Sequence, residues 1–275
     1  MVLRLALNTG TFSLQRVDFL GAVQAISRVG FSGIDLRDNH IEDYIQEGHS
    51  VDEIKNLLRQ YGLQPVLMNS LRDWQTWGNE GKEKYRAFLE HYLDQSRSIG
   101  CDCVICCAFA EGKDLERDIR SFREVCKLGT FYNIRMALEF LPWTGLREIR
   151  ETWEVVRKAN CSNGGLLIDS FHFFKGGSTI EDLRKVPTEK IFFVHLDDAP
   201  DLAMDVKDMC MTKRLFPGEG TFPLREMLDV LVGEKKYQDW VSLEILNQEN
   251  QRAGYGMLAQ RARRSLEKLL GDYGR

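Results

Sequence analysis

Residues 3–15 read LRLALNTGTFSLQ, a short apolar run that ends at the polar Asn8 and passes into a loop of small residues. A doubly wound open sheet would carry a glycine-rich phosphate loop here, after its first strand, and NTGTFSLQ holds neither GxGxxG nor a P-loop. Runs of the same kind return seven times: GIDL (33–36), QPVLMN (64–69), CVICC (103–107), IRMALE (134–139), GLLID (165–169), IFFVH (191–195) and WVSLEI (240–245). Their hydrophobicity is nearly continuous, as parallel strands covered on both faces require. Successive runs end 26 to 38 residues apart, with a last gap of 50, and each interval is long enough for a helical crossover. Eight βα units in 275 residues predict an α/β fold, a single (β/α)8 TIM barrel domain spanning 1–275.

The intervals carry helix signals. Ser50 with Glu53, and Ser178 with Glu181, read as capping boxes, and Leu258, Ala262, Leu266, Leu269 and Leu270 form an apolar stripe beside the solvated Arg261, Arg263 and Arg264. The chain has 37 Lys and Arg against 41 Asp and Glu, a net charge of −4, so the surplus of cations that nucleic-acid binding draws on is missing. No apolar stretch reaches membrane-spanning length, and MVLRLALNTGTFS lacks a signal-peptide pattern, so a cytoplasmic protein with neither nucleic-acid nor membrane partners is expected. The seven cysteines fit the same expectation: an odd number, four of them crowded into CDCVICC, reads as reduced thiols in a buried strand rather than as disulfides or a zinc site. A homo-oligomer is compatible with these observations.

Barrel chemistry sits at the C-terminal ends of the strands. Those ends carry Asn8, Asp35 and Arg37, Asn69, Cys107, Glu139, Asp169, His195 and Glu244, so strands five to eight finish in Glu, Asp, His and Glu. Three carboxylates converging on one mouth repel one another unless a cation or shared protons compensate. One divalent ion answers this economically; three oxygens and an imidazole suit Mn²⁺, Mg²⁺ or Co²⁺, and Zn²⁺ is also compatible. His172 in LLIDSFHFFKGG falls beside the site, or packs between Phe171 and Phe173. Arg214 in KRLFPGEG lies in the long last interval, which can deliver a cation to the mouth. Asn69 and Arg37 are candidate hydroxyl contacts, and Trp74, Trp77 and Trp143 can either pack on a sugar face or anchor loops.

ALEF (137–140), LLIDSFHFFKGG (166–177), FFVHLDDAP (192–200), RLFPGEG (214–220) and SLEIL (242–246) together resemble the xylose-isomerase-like sugar phosphate isomerase/epimerase superfamily, most closely its inosose isomerase branch. The likeness extends over GIDLRD and HSVDEIKNLLRQYGLQPVLMNSL, hence over nearly the whole chain. The resemblance implies that Glu139, Asp169, His195 and Glu244 bind the metal, that Glu139 and Glu244 are the catalytic acid/base pair, and that His172 and Arg214 hold substrate oxygens. The five histidines are too few for the multi-zinc site of the superfamily's endonuclease IV branch.

These readings predict an isomerase or epimerase of a small polyhydroxylated keto substrate, a keto-cyclitol or ketose. A metal chelated by the carbonyl and the neighbouring hydroxyl would stabilise the enediolate formed when the adjacent carbon loses its proton. The alternatives are a dehydratase acting on inosose or 3-dehydroshikimate through the same metal site, and a non-catalytic sugar-binding subunit.

Overall fold

The structure, a computed structural model, describes residues 3–76, 82–271 and 273. Within them the eight apolar runs are strands: β1 (Arg4–Asn8), β2 (Gly33–Arg37), β3 (Gln64–Leu71), β4 (Cys103–Cys107), β5 (Arg135–Glu139), β6 (Gly164–Asp169), β7 (Ile191–Leu196) and β8 (Trp240–Leu243). They pair in parallel in chain order, and β1 closes on β8 through Arg4 opposite Trp240 to Leu7 opposite Leu243. The result is the closed (β/α)8 barrel that the spacing of the runs predicts.

Outside the strands lie α1 (Phe19–Arg28), α2 (Asp38–Gln46), α3 (Val51–Gln60), α4 (Lys82–Ile99), α5 (Leu115–Phe131), α6 (Ile149–Ala159), α7 (Ser170–Gly176), α8 (Ile180–Lys185), α9 (Val206–Thr212), α10 (Leu224–Leu228) and α11 (Tyr255–Leu270). None of them is long and apolar enough to cross a membrane.

Two apolar layers follow from the alternation of side chains along each strand. Ala6, Leu67, Ile105, Ala137, Leu167, Phe193 and Trp240 meet inside the barrel, while Leu7, Ile34, Val104, Leu138, Ile168 and Val194 face the helices. Room for the Trp240 ring comes from Gly33, where a methyl group would stand 2.6 Å from it. The same alternation divides the cysteines: Cys103 and Cys107 face the interior, Cys101 and Cys106 the helix layer, and all are free. Their thiols therefore do not converge as metal ligands would.

Ser50 forms its capping box, its hydroxyl accepting from the Glu53 amide at 3.2 Å while Glu53 accepts from the Ser50 amide at 2.7 Å. The second N-cap falls one residue later than the sequence expectation, at Thr179 in place of Ser178. Thr179 caps α8 by accepting from the Asp182 amide at 3.1 Å, because the Ser178 hydroxyl is taken up by the first amide of α6, that of Ile149, at 3.0 Å. In α11 the stripe of Leu258, Ala262, Leu266 and Leu269 is buried, and Arg261 and Arg263 pair with Glu219 and Glu267.

The long connection from β7 to β8 is ordered by one carboxylate. Asp198 Oδ1 accepts from the amides of Ala199 and Phe222, and Oδ2 from those of Gly218 and Gly220, at 2.9 to 3.0 Å. Gly218 has φ +86°, and a methyl at Gly220 would stand 2.3 Å from both the Ala199 carbonyl and Asp198, so FPGEG needs its glycines. An antiparallel bridge between Asp198 and Leu215 adds two backbone hydrogen bonds, and the residue this presents to the barrel mouth is Arg214.

Asp198→Ala strips four amides of their acceptor and is expected to cost about 3 kcal/mol in urea unfolding, at the upper end for orphaned buried groups. Thr179→Ala should cost about 1 kcal/mol, and Glu181→Ala less than about 0.5 kcal/mol, in the same measurement.

Candidate active site

Asp169 ends β6 and precedes α7, and its two oxygens do different work. Oδ1 accepts from the His172 amide at 2.9 Å and so caps the helix, which sets His172 beside the carboxylate. Oδ2 accepts from Arg214 Nη1 at 2.7 Å and lies 3.7 Å from His195 Nδ1. His195, on β7, donates from Nε2 to Asp35 Oδ2 at 2.8 Å, and its Nδ1 has no hydrogen-bond partner. Facing that nitrogen at 3.8 Å is Oε2 of Glu244, one residue beyond β8. The other oxygen of Glu244 accepts from Asn69 Nδ2 at 2.9 Å and lies 3.4 Å from Arg37 Nη1.

Glu139, at the end of β5, accepts from the Cys107 thiol at 3.2 Å through Oε2. Its Oε1 has no partner and stands 3.9 Å from His172 Nε2. Asp169, His195 and Glu244 each offer a ligand atom within 4.8 Å of the others, and so do Glu139, Asp169 and His172. The structure thus groups three of the sequence-predicted ligands, Asp169, His195 and Glu244, and joins the fourth, Glu139, to them through Asp169 in a second group completed by His172.

A buried polar atom without a partner costs about 1 to 3 kcal/mol, and His195 Nδ1 and Glu139 Oε1 are atoms of this kind that stand among three buried carboxylates. A cation among them would satisfy both atoms and offset the mutual repulsion. The donor set, three carboxylates and an imidazole whose far nitrogen is held by Asp35, fits a divalent ion.

Electrostatics divide the carboxylates. Burial, reinforced by the Asp169 charge, pushes Glu139 up to about 8, so without a metal it keeps its proton at neutral pH. Burial also works to raise Asp169, but the Arg214 guanidinium and then His172 and His195 outweigh it and hold this carboxyl below its ordinary range. His195 goes the other way from a buried histidine: burial opposes its charge, yet Asp35, Asp169 and Glu244 raise its pKa well above the usual value. His172 is brought down to about 4, chiefly by burial, and is neutral. Arg214 Nη2 donates to His172 Nε2 at 3.3 Å, which leaves the ring proton on Nδ1.

Arg37, Asn69, Glu139, His172, Arg214 and Glu244 line one cavity of about 180 Å³, together with Trp143. The Trp143 ring stands edge-on to His172 with 5.4 Å between centroids. Trp74 is not part of the cavity wall: its indole donates to the Cys107 carbonyl at 2.8 Å and its ring packs on Phe122, so it anchors the loop. Trp77 lies outside the described residues.

Sequence reasoning did not assign roles to Asp35, Asp197 or Cys107. Asp197 accepts from Arg214 and from the Ser170 hydroxyl, the latter at 2.6 Å, and so fixes the guanidinium against the end of β7. The doubled acid in HLDDAP was the available signal: Asp197 turns in toward Arg214 and Asp198 out into the loop.

A family model for the xylose isomerase-like TIM barrel matches residues 23–269. The chain belongs to the xylose isomerase-like TIM barrel family. Among its curated relatives in this family, a 3-dehydroshikimate dehydratase of Pseudomonas aeruginosa is 32% identical over 232 residues, 82% of this chain and 36% of that protein. The chain therefore spans about a third of that relative's length. An inosose isomerase of Halalkalibacterium halodurans is 25% identical over 256 residues, 90% of this chain and 89% of the relative. The crystal structure of an IolI protein with a bound zinc atom shares the fold, with a TM-score of 0.90 over 98% of this chain and 99% of that one at 22% identity. The family thus supplies both an isomerase and a dehydratase among these relatives.

Ligation of a metal requires deprotonated Glu139 and His195, both of which hold protons in the metal-free chain. Binding is therefore expected to release protons, and the apparent affinity for Mn²⁺ to rise with pH through about 8, where Glu139 loses its proton. Calorimetry in buffers of differing ionisation enthalpy measures this directly. Asp35→Asn should weaken Mn²⁺ binding by roughly 10- to 100-fold in a chelator competition, since it removes the carboxylate that orients His195.

Proposed function

We propose that the protein is a divalent-metal-dependent isomerase or epimerase of a keto-cyclitol or ketose. In this reading Glu139, Asp169, His195 and Glu244 hold one ion, of the Mn²⁺, Mg²⁺, Co²⁺ or Zn²⁺ class. Once bound, the ion supplies Lewis acidity to the ketone and adjacent hydroxyl oxygens and offsets the charge that appears when the neighbouring carbon loses its proton.

The observation that carries the proposal is the buried, unpartnered Oε1 of Glu139, a residue that both lines the cavity and belongs to the ligand cluster. An α-hydroxy ketone is isomerised by taking a proton from the carbinol carbon, returning one to the former carbonyl carbon, and moving the hydroxyl proton between the two oxygens. Glu139 and Glu244 stand at the ends of β5 and β8, on different sides of the barrel mouth, where one can remove and the other return the carbon-bound proton. Asn69 and Arg37 hold one oxygen of Glu244 and leave the other free of them. Neutral His172 and cationic Arg214 orient the substrate oxygens, and Trp143 offers an apolar face to the C–H side of a ring.

A dehydratase is the second reading, and the position of His172 favours it. With Nε2 3.9 Å from Glu139, this ring can pass the proton taken by the carboxylate to a departing β-hydroxyl. The fate of that hydroxyl distinguishes the two reactions. Incubation with inosose, simple ketoses and 3-dehydroshikimate in deuterated water should show carbon-bound deuterium for an isomerase, and a new conjugated ultraviolet band for a dehydratase.

Glu139→Gln and Glu244→Gln are each expected to lower turnover by about 10²- to 10⁴-fold, the usual worth of acid/base catalysis, in protein whose metal content is verified by elemental analysis. Near-normal turnover of either variant with its metal in place overturns this assignment.

A further inference from the structure

Cys126 lies in α5 and Cys161 in the turn between α6 and β6, where the Cys161 thiol donates to the Ala159 carbonyl at 3.5 Å and both side chains converge on Gly164. Both pack against Gly164: a methyl on that residue would stand 3.1 Å from Cys126 Sγ and 3.5 Å from Cys161 Cβ. Of the seven cysteines, Cys161 is half-buried and the other six are buried.

The surroundings of Cys161 are cationic. Lys190 Nζ donates to the Cys161 carbonyl at 2.8 Å and to that of Gly164 at 2.9 Å, and Arg123 reaches the Ala159 carbonyl at 3.2 Å. The hydrogen bond from Cys126, helped by Arg123, Lys190 and Lys127 and opposed by burial, brings the Cys161 thiol down to about 7, whereas burial pushes Cys126 well above the ordinary thiol range. One half-buried cysteine whose thiol ionises near neutral pH thus sits against the same glycine as one buried cysteine that keeps its proton. That is the arrangement of an attacking and a resolving thiol.

We propose that Cys126 and Cys161 form a modification site, a dithiol that closes to an intramolecular disulfide by exchange with a low-molecular-weight disulfide such as glutathione disulfide. The Cys161 thiolate attacks one sulfur of glutathione disulfide, forming a mixed disulfide and releasing one glutathione thiolate. Cys126 then gives up its proton and attacks the Cys161 sulfur, expelling the second glutathione. Two protein thiols are oxidised and one disulfide is reduced, so the exchange balances. The new bond ties α5 to the start of β6, at the opposite end of that strand from Asp169.

Treating the native full-length chain with glutathione disulfide, trapping the remaining thiols by alkylation and mapping peptides by mass tests the proposal. The expected wild-type product has lost two thiols together, carries a 126–161 cross-link and retains the other five thiols. The rate at which Cys161 is consumed in the first exchange should fall, near pH 7, to half of its value in alkaline solution. Cys126→Ala should stop at a glutathione adduct on Cys161, and Cys161→Ala should leave every remaining thiol free. The proposal is overturned if the native wild-type chain keeps all seven thiols under conditions in which the urea-unfolded chain reacts, or if it stops at the Cys161 adduct without a cross-link. Both of these outcomes are read from the wild-type peptides and do not depend on either variant folding.

Discussion

Three buried carboxylates that converge beside one imidazole set the terms for the rest of this molecule. Left to themselves Glu139, Asp169 and Glu244 would not be tolerated together, since burying like charges costs far more than any packing around them returns. Each is therefore answered by a different device. Asp169 is held ionised by Arg214 and by the amide of a helix it caps, Glu244 accepts from Asn69 and lies beside Arg37, and Glu139 retains a proton next to the Cys107 thiol. The compensation is incomplete at His195 Nδ1 and Glu139 Oε1, and that incompleteness is what a cation would complete.

The fold serves this arrangement at several removes. Asp169 and Glu139 terminate their strands because the apolar run gives way at the point where the chain leaves the barrel; His195 stands one residue before the end of β7 and Glu244 one residue beyond β8. The β7–β8 connection exists in its observed form to return a cation to that end. Arg214 is buried and bonded to Asp169 and Asp197, and the Asp198 hydrogen bonds outside it hold its loop in place.

Much of this could be read from the letters. The eight runs, their even spacing and the polar residues that end them led to the barrel and to Glu139, Asp169, His195 and Glu244, because a parallel barrel strand is apolar until it reaches the mouth. Partners chosen across the barrel could not be read the same way. Asp35 belongs to β2 and acts on β7, and Cys107 belongs to β4 and acts on β5, so neither role follows from its own segment. Trp74 and Trp143 had equal claims as site residues, and only the path of the β3–α4 loop, with the indole of Trp74 turned back to the Cys107 carbonyl, separates them. The Ser178 capping box failed for a related reason: a helix distant in sequence claimed its hydroxyl.

Asp198 has a consequence for how such a protein can change. Its four amide hydrogen bonds and the bridge to Leu215 fasten the two ends of the segment that carries α9, so residues 200–213 form an interchangeable insert over the cavity, contributing Lys207, Cys210 and Met211 to its wall. Substitutions at Lys207 and Met211 alter the cavity wall from outside the carboxylate cluster, whereas Cys210 accepts from Arg214 through its carbonyl and its sulfur and so ties the insert to the site. The shape of the cavity can thus vary through one connection of fourteen residues while the strand ends stay where they are.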